Sequence, residues 1–97
     1  MPASEMIGLH IWVKGRVQAV GFRAFAAAQA RHLGLTGWVR NVGADTVEAV
    51  AEGERAAVEG FAEIMKAGPR GSHVDESRLE QQAPGGEFTG FEIRRSL

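Results

Sequence analysis

Ile7-Gly8-Leu9-His10-Ile11-Trp12-Val13-Lys14-Gly15-Arg16-Val17-Gln18-Ala19-Val20-Gly21-Phe22-Arg23 is the stretch on which the fold turns. In its first half Ile7, Leu9, Ile11 and Val13 alternate with Gly8, His10, Trp12 and Lys14, the period of a half-buried strand. Its second half makes a loop between Gly15 and Gly21, and then the period changes. Phe22, Phe25, Ala26, Ala30 and Leu33 share one face of a helix running from Phe22 to Leu33, with Gln29 intruding on it. The alanine-rich run favours helix, and Gly34 stops it. A strand passing through a glycine-flanked loop into a helix N-terminus brings loop N–H groups and the positive end of the helix dipole to one place. Arg23 adds a guanidinium in the first turn, suited to a bidentate grip on phosphate or carboxylate. No Asp or Glu lies between Gly15 and Ala44 to compensate an arginine that the dipole disfavours. An anion clamp is therefore favoured over a surface arginine.

Reading on from there, Gly37-Trp38-Val39-Arg40-Asn41-Val42 is a second strand, Gly43-Ala44-Asp45 a turn, and Thr46 to Ala51 a third strand with Val47, Ala49 and Ala51 on one side. Gly53-Glu54 opens a second helix in which Ala57, Val58, Phe61, Ile64 and Met65 share a face, and Gly68-Pro69 ends it. Val74 to Gln82 reads as a strand. Val74 and Leu79 fall on opposite sides of its alternation, which requires a bulge or a mostly exposed face. Pro84-Gly85-Gly86 is a turn, and Phe91 with Ile93 marks a short terminal strand. The order β-α-β-β-α-β plus a last strand predicts a ferredoxin-like α+β sandwich: an antiparallel sheet with two helices on one face. The other sheet face is expected to be largely solvated.

This topology makes a positional prediction. The first strand runs up to the loop and the helix runs back roughly 18 Å at 1.5 Å per residue. About six strand residues then recover that distance at roughly 3.3 Å each. Asn41, at the far end of the second strand, should return beside the anion loop. On local spacing alone it is more simply a strand-end asparagine.

Ninety-seven residues without repeats or a linker make one domain, 1–97, with room for one core. The 44% hydrophobic and 24% charged content is ordinary for a globular protein. A net charge of −1 gives no global field toward nucleic acid or an anionic membrane. The absence of cysteine excludes disulfides, thiolate catalysis and Cys-based zinc sites. No apolar run is long enough to span a bilayer, and Met1 to Glu5 is too short and polar for a signal peptide, so a cytoplasmic location is the default.

The run Gly15-Arg16-Val17-Gln18-Ala19-Val20-Gly21-Phe22-Arg23, followed by Gly37-Trp38-Val39-Arg40-Asn41 and then by Val47 and Gly53, resembles the acylphosphatase family. The resemblance extends through the terminal Gly90-Phe91-Glu92-Ile93-Arg94 and so covers essentially the whole chain. It implies hydrolysis of the carboxyl–phosphate anhydride of small-molecule acyl phosphates without metal or cofactor. It implies that Arg23 binds the phosphoryl group together with backbone N–H groups of Arg16, Val17, Gln18, Ala19, Val20 and Gly21, and that Asn41 orients the attacking water. The acyl group itself stays open among carbamoyl, acetyl and larger acyl phosphates. Two positions depart from the family pattern. Ala19 stands where glycine is usual, and a positive φ there would strain alanine by about 1 kcal/mol. Asp45 replaces a hairpin glycine, while Gly43 supplies one two positions earlier.

Such chemistry asks little of a protein. The leaving carboxylate is weakly basic, so positioning of water and stabilisation of phosphoryl charge suffice, with no acid/base pair required. Other readings are weaker. A nucleotide P-loop needs four residues between its glycines and Lys-Ser/Thr after them, where this chain has five and Phe22-Arg23. His10, His32 and His73 share no metal-ligand spacing. Glu52, Glu54, Glu59 and Glu63 read as a solvated face and helix-start charges, and Arg94-Arg95 as protection of an exposed edge strand. Trp12 and Trp38 fit ordinary packing, Trp38 being the nearer to Asn41. An RNA-binding module of the same fold would carry aromatics on its central strands, and Thr46 to Ala51 has none. A non-catalytic phosphate-binding module is the closer rival. The Arg23 and Asn41 pair favours an enzyme, and nothing requires more than a monomer.

Overall fold

The alternation from Ile7 to Val13 becomes strand β1 (Met6–Arg16) in the computed structural model, which describes residues 5–97. The expectation about a leader at Met1 to Glu5 falls, for residues 1–4, outside the described residues. Helix α1 (Phe22–His32), β2 (Thr36–Val42), β3 (Thr46–Glu54), α2 (Arg55–Ala67), β4 (His73–Gln82) and β5 (Phe91–Ile93) follow. The strands form one sheet in the order β4-β1-β3-β2-β5. This is the expected ferredoxin-like α+β fold, two helices on one sheet face, with one correction to its sheet: β5 lies parallel to β2, so the sheet is mixed.

Register decides which side chains face the helices. Leu9, Ile11 and Val13 pair with Ala51, Ala49 and Val47, which pair in turn with Gly37, Val39 and Asn41 of β2. Their common face is covered by Phe22, Ala26, Ala27 and Ala30 of α1 and by Val58, Phe61, Ala62 and Met65 of α2. Within α1 the close contact is made by alanines, which let the helix lie near the sheet, while Phe25 is only half-buried. Phe61 meets Phe91 of β5 edge-to-face at 5.7 Å, tying the last strand to the core. Burying one such ring contributes about 1.5–3 kcal/mol.

The third strand does not stop at Ala51. It continues through Glu54 because Met6, Ile7 and Gly8 pair with Glu54, Gly53 and Glu52, so α2 begins at Arg55 rather than at Gly53-Glu54. Both devices expected of the fourth strand are present. Register shifts where Lys14 faces Glu76 and Gly15 faces Val74, leaving Asp75 bulged, and the strand is exposed along most of its length. None of the described helices is long and apolar enough to cross a membrane.

The helix-free face departs most from expectation. Its centre is closed over by its own side chains, while the β4 edge stays solvated as expected. Glu48 is only 6% exposed, with Arg40 Nε donating to Oε1 at 2.7 Å and His10 Nε2 lying 2.6 Å from Oε2. His10 stacks on Trp12 at 3.8 Å, and Arg40 and Arg94 cover Trp38 at 4.7 and 5.0 Å. Burial alone would raise the pKa of Glu48, but the hydrogen bonds from Arg40 and His10 outweigh it and hold the pKa below its ordinary value. Glu52, expected on a solvated face, is equally buried and accepts hydrogen bonds from the Gly85 and Gly86 amides at 2.8 and 3.1 Å. Both tryptophans belong to this face.

Candidate active site

Where β1 gives way to α1, the chain must reverse within residues 17–21. Gly21 makes the reversal as the helix N-cap in the left-handed region, φ 74° and ψ 23°. It offers no side-chain cap, and no acidic residue occupies the first turn. The first intrahelical bond runs from Phe25 N–H to the Gly21 carbonyl at 2.9 Å, so the amides before it have no partner within the helix. Those amides and the dipole make the corner electropositive, and Arg23 adds a formal charge. Ala19 adopts φ 61°, the one left-handed residue other than glycine among those described. The condition set at this position is therefore met, and alanine carries about 1 kcal/mol of local strain.

Arg23 opens onto a cavity of about 240 Å³. Val17, Gln18, Ala19 and Gly21 line it from the loop, and Asn41 from the end of β2. The positional prediction thus holds: residues 18 apart in sequence (41 − 23) share one small cavity. Among the described residues neither Arg23 nor the Asn41 side chain has a hydrogen-bonding or ionic partner from the protein. Arg16 and Val20 are not among the lining residues. Arg16 borders a separate hollow with Ser72, His73 and Asp75, and Val20 is partly buried against the core.

Two features escape a reading of local pattern. Gln18 contributes more than its backbone, since its Nε2 donates to the carbonyls of Gly43 at 3.0 Å and Thr46 at 2.9 Å. It thereby ties the loop to the hairpin that follows Asn41. That hairpin turns on Gly43, φ 60°, so the flexible residue has indeed moved two positions ahead of Asp45. Asp45 serves instead through its carbonyl, which accepts the Gly15 N–H at 2.9 Å. The second feature is Ile93, which lines the cavity from β5. Its alternation with Phe91 places it on the helix-covered face, but only the parallel pairing with β2 brings it beside Asn41.

The chain is thus a small ferredoxin-like α+β sandwich with an arginine, uncompensated among the described residues, in the first turn of a helix that has no side-chain cap. A family model, Acylphosphatase, matches residues 9–93. An acylphosphatase of Trichormus variabilis is 46% identical over 94 residues, covering 97% of this chain and 92% of its own. The acylphosphatase from Bacillus subtilis superposes with a TM-score of 0.86 at 35% identity, over 91% of this chain and 98% of that one. That of Coxiella burnetii gives a TM-score of 0.88 at 32% identity, over 97% and 100%. The chain belongs to the acylphosphatase family, and with it to the enzymes.

Proposed function

We propose that this chain hydrolyses acyl phosphates to a carboxylate and inorganic phosphate, with Arg23 and the loop amides of residues 16–21 binding the phosphoryl group and Asn41 orienting the attacking water. The observation that carries this reading is the single cavity in which the unpaired guanidinium, the loop and the Asn41 amide meet. Water oxygen attacks phosphorus, the bond from phosphorus to the acyl oxygen breaks, and its electron pair leaves on the carboxylate. A phosphoryl oxygen takes the proton of the water, so no separate base is needed. Charge developing on the phosphoryl oxygens falls on the guanidinium and the amides, which are in place before reaction. We further propose that residues 1–97 act as one domain, as a cytoplasmic monomer without nucleic-acid or membrane partners, and without metal or cofactor.

The test is benzoyl phosphate hydrolysis with and without EDTA. Turnover is expected to persist in chelator and to fall about 10²–10³-fold in Arg23→Ala, with a parallel loss of inhibition by inorganic phosphate. Asn41→Ala should lower turnover while leaving phosphate inhibition nearly intact. A wild-type chain that binds phosphate but turns nothing over would instead be the non-catalytic module.

A further inference from the structure

Among the described residues, Arg23 is the one charged group lining the cavity, and no second cation, carboxylate or hydroxyl borders it. Of its two amides, Gln18 has committed its Nε2 to hairpin carbonyls, which leaves Asn41 beside the phosphoryl position. Everything else that lines it is apolar or backbone. Within that wall Ile93 is anomalous. Its neighbour on the same face of β5, Phe91, is 5% exposed and in the core, whereas Ile93 is 44% exposed. Pairing of Ile93 with Val39 sets it one step along the same sheet face from Asn41. A large apolar side chain left uncovered at the rim of an anion site is an unfilled contact rather than part of the core.

Resting on the reading of Arg23 as the phosphoryl holder, we propose that Ile93 is the specificity-determining contact for the acyl group, and that the preferred substrates are acyl phosphates with an apolar alkyl or aryl acyl group. With the phosphoryl oxygens on Arg23 and the loop amides, the acyl end extends toward the apolar rim formed by Ile93 and Ala24. An apolar acyl group removes that rim from water. With the loop amides and Asn41 taken by the phosphoryl group and the water, a carbamoyl group or an anionic acyl arm finds no further side-chain donor and no second cation in the lining, and it exchanges hydration for an apolar wall. Discrimination of this kind acts on binding, so it appears in KM more than in kcat.

The experiment compares wild type, Ile93→Ser and Ile93→Leu on benzoyl, acetyl and carbamoyl phosphate, with inorganic phosphate as inhibitor. Ile93 is exposed, so the variants are expected to fold, and thermal unfolding checks this. In Ile93→Ser, kcat/KM for benzoyl phosphate should fall about tenfold, mainly through KM, while acetyl phosphate, with a single methyl against the rim, falls less and carbamoyl phosphate changes less than about twofold. Ile93→Leu should retain the wild-type ratio, and phosphate inhibition should be the same in all three. An unchanged benzoyl-to-carbamoyl ratio in Ile93→Ser would overturn the proposal, as would an equal loss on every substrate. Either result leaves the catalytic reading standing provided Arg23→Ala is inactive throughout. An active Arg23→Ala would sink that reading instead.

Discussion

Two arginines, Arg23 and Arg40, sit on opposite faces of one sheet and in opposite circumstances. Arg40 is satisfied: its Nε meets the buried carboxylate of Glu48 at 2.7 Å, and its guanidinium lies over the Trp38 ring. Arg23 has no anion from the protein among the described residues, and it borders a cavity at a helix end where its charge is locally unfavourable. Arg40 stabilises the fold by filling its own requirement. Arg23 has its requirement unmet among the described residues, as the proposed phosphoryl contact would need. The difference teaches how to sort arginines in a small domain: a partner already present accounts for one, and a missing partner singles out the other as the candidate for a ligand.

The contrast predicts a double dissociation. Arg23→Ala should lose about 3–4 kcal/mol of transition-state stabilisation, yet leave stability within about 0.5 kcal/mol, as for a surface substitution. Arg40→Ala should do the reverse, lowering unfolding free energy by about 2 kcal/mol with kcat/KM unchanged. That figure is the cost of stripping a buried carboxylate of one partner, discounted because the Arg40 side chain is 25% exposed. Urea unfolding and benzoyl phosphate kinetics on both variants check it, and a loss of activity in Arg40→Ala that exceeds its loss of folded protein would break the comparison.

Glu48 sharpens it through pH. Its folded pKa lies below the ordinary 4.5, so the stability it confers is complete above that range and is lost as pH falls through the lowered folded value. Glu48→Gln should therefore be less stable than wild type at pH 7, with the gap narrowing toward pH 3 in thermal unfolding. A gap that stayed constant across that range would show that charge on Glu48 contributes nothing.

The smallest effect belongs to the loop before α1. Ala19→Gly removes left-handed strain and should raise stability by up to about 1 kcal/mol, a few degrees in Tm for a chain of this size. Calorimetry on the variant reads it directly. A lower Tm would mean that the methyl contributes packing worth more than the strain.

Much of this architecture is legible in the chain itself. Period-two alternation in β1, the glycine-bounded loop and an arginine without nearby acids announce the anion corner, and strand and helix lengths return Asn41 to it. Pattern fails where long-range pairing decides. Gly53-Glu54 has the look of a helix start, but pairing with Ile7 and Met6 keeps it in β3. His10, Arg40 and Glu48 fall on the face expected to be solvated, and nothing local shows that three strands set them within hydrogen-bond reach. Ile93 as a rim residue and Gln18 as a clasp are invisible for the same reason: each depends on a partner strand or turn far along the chain.

The parallel pairing of β5 with β2 also has a kinetic meaning. Since the cavity draws on the β1–α1 loop, the end of β2 and the last strand, no early local structure contains it, and contacts of such long sequence separation form late and slowly. Recovery of turnover after dilution from denaturant should therefore lag helix formation and report on docking of the final strand, which makes catalysis itself a clock for the completion of folding.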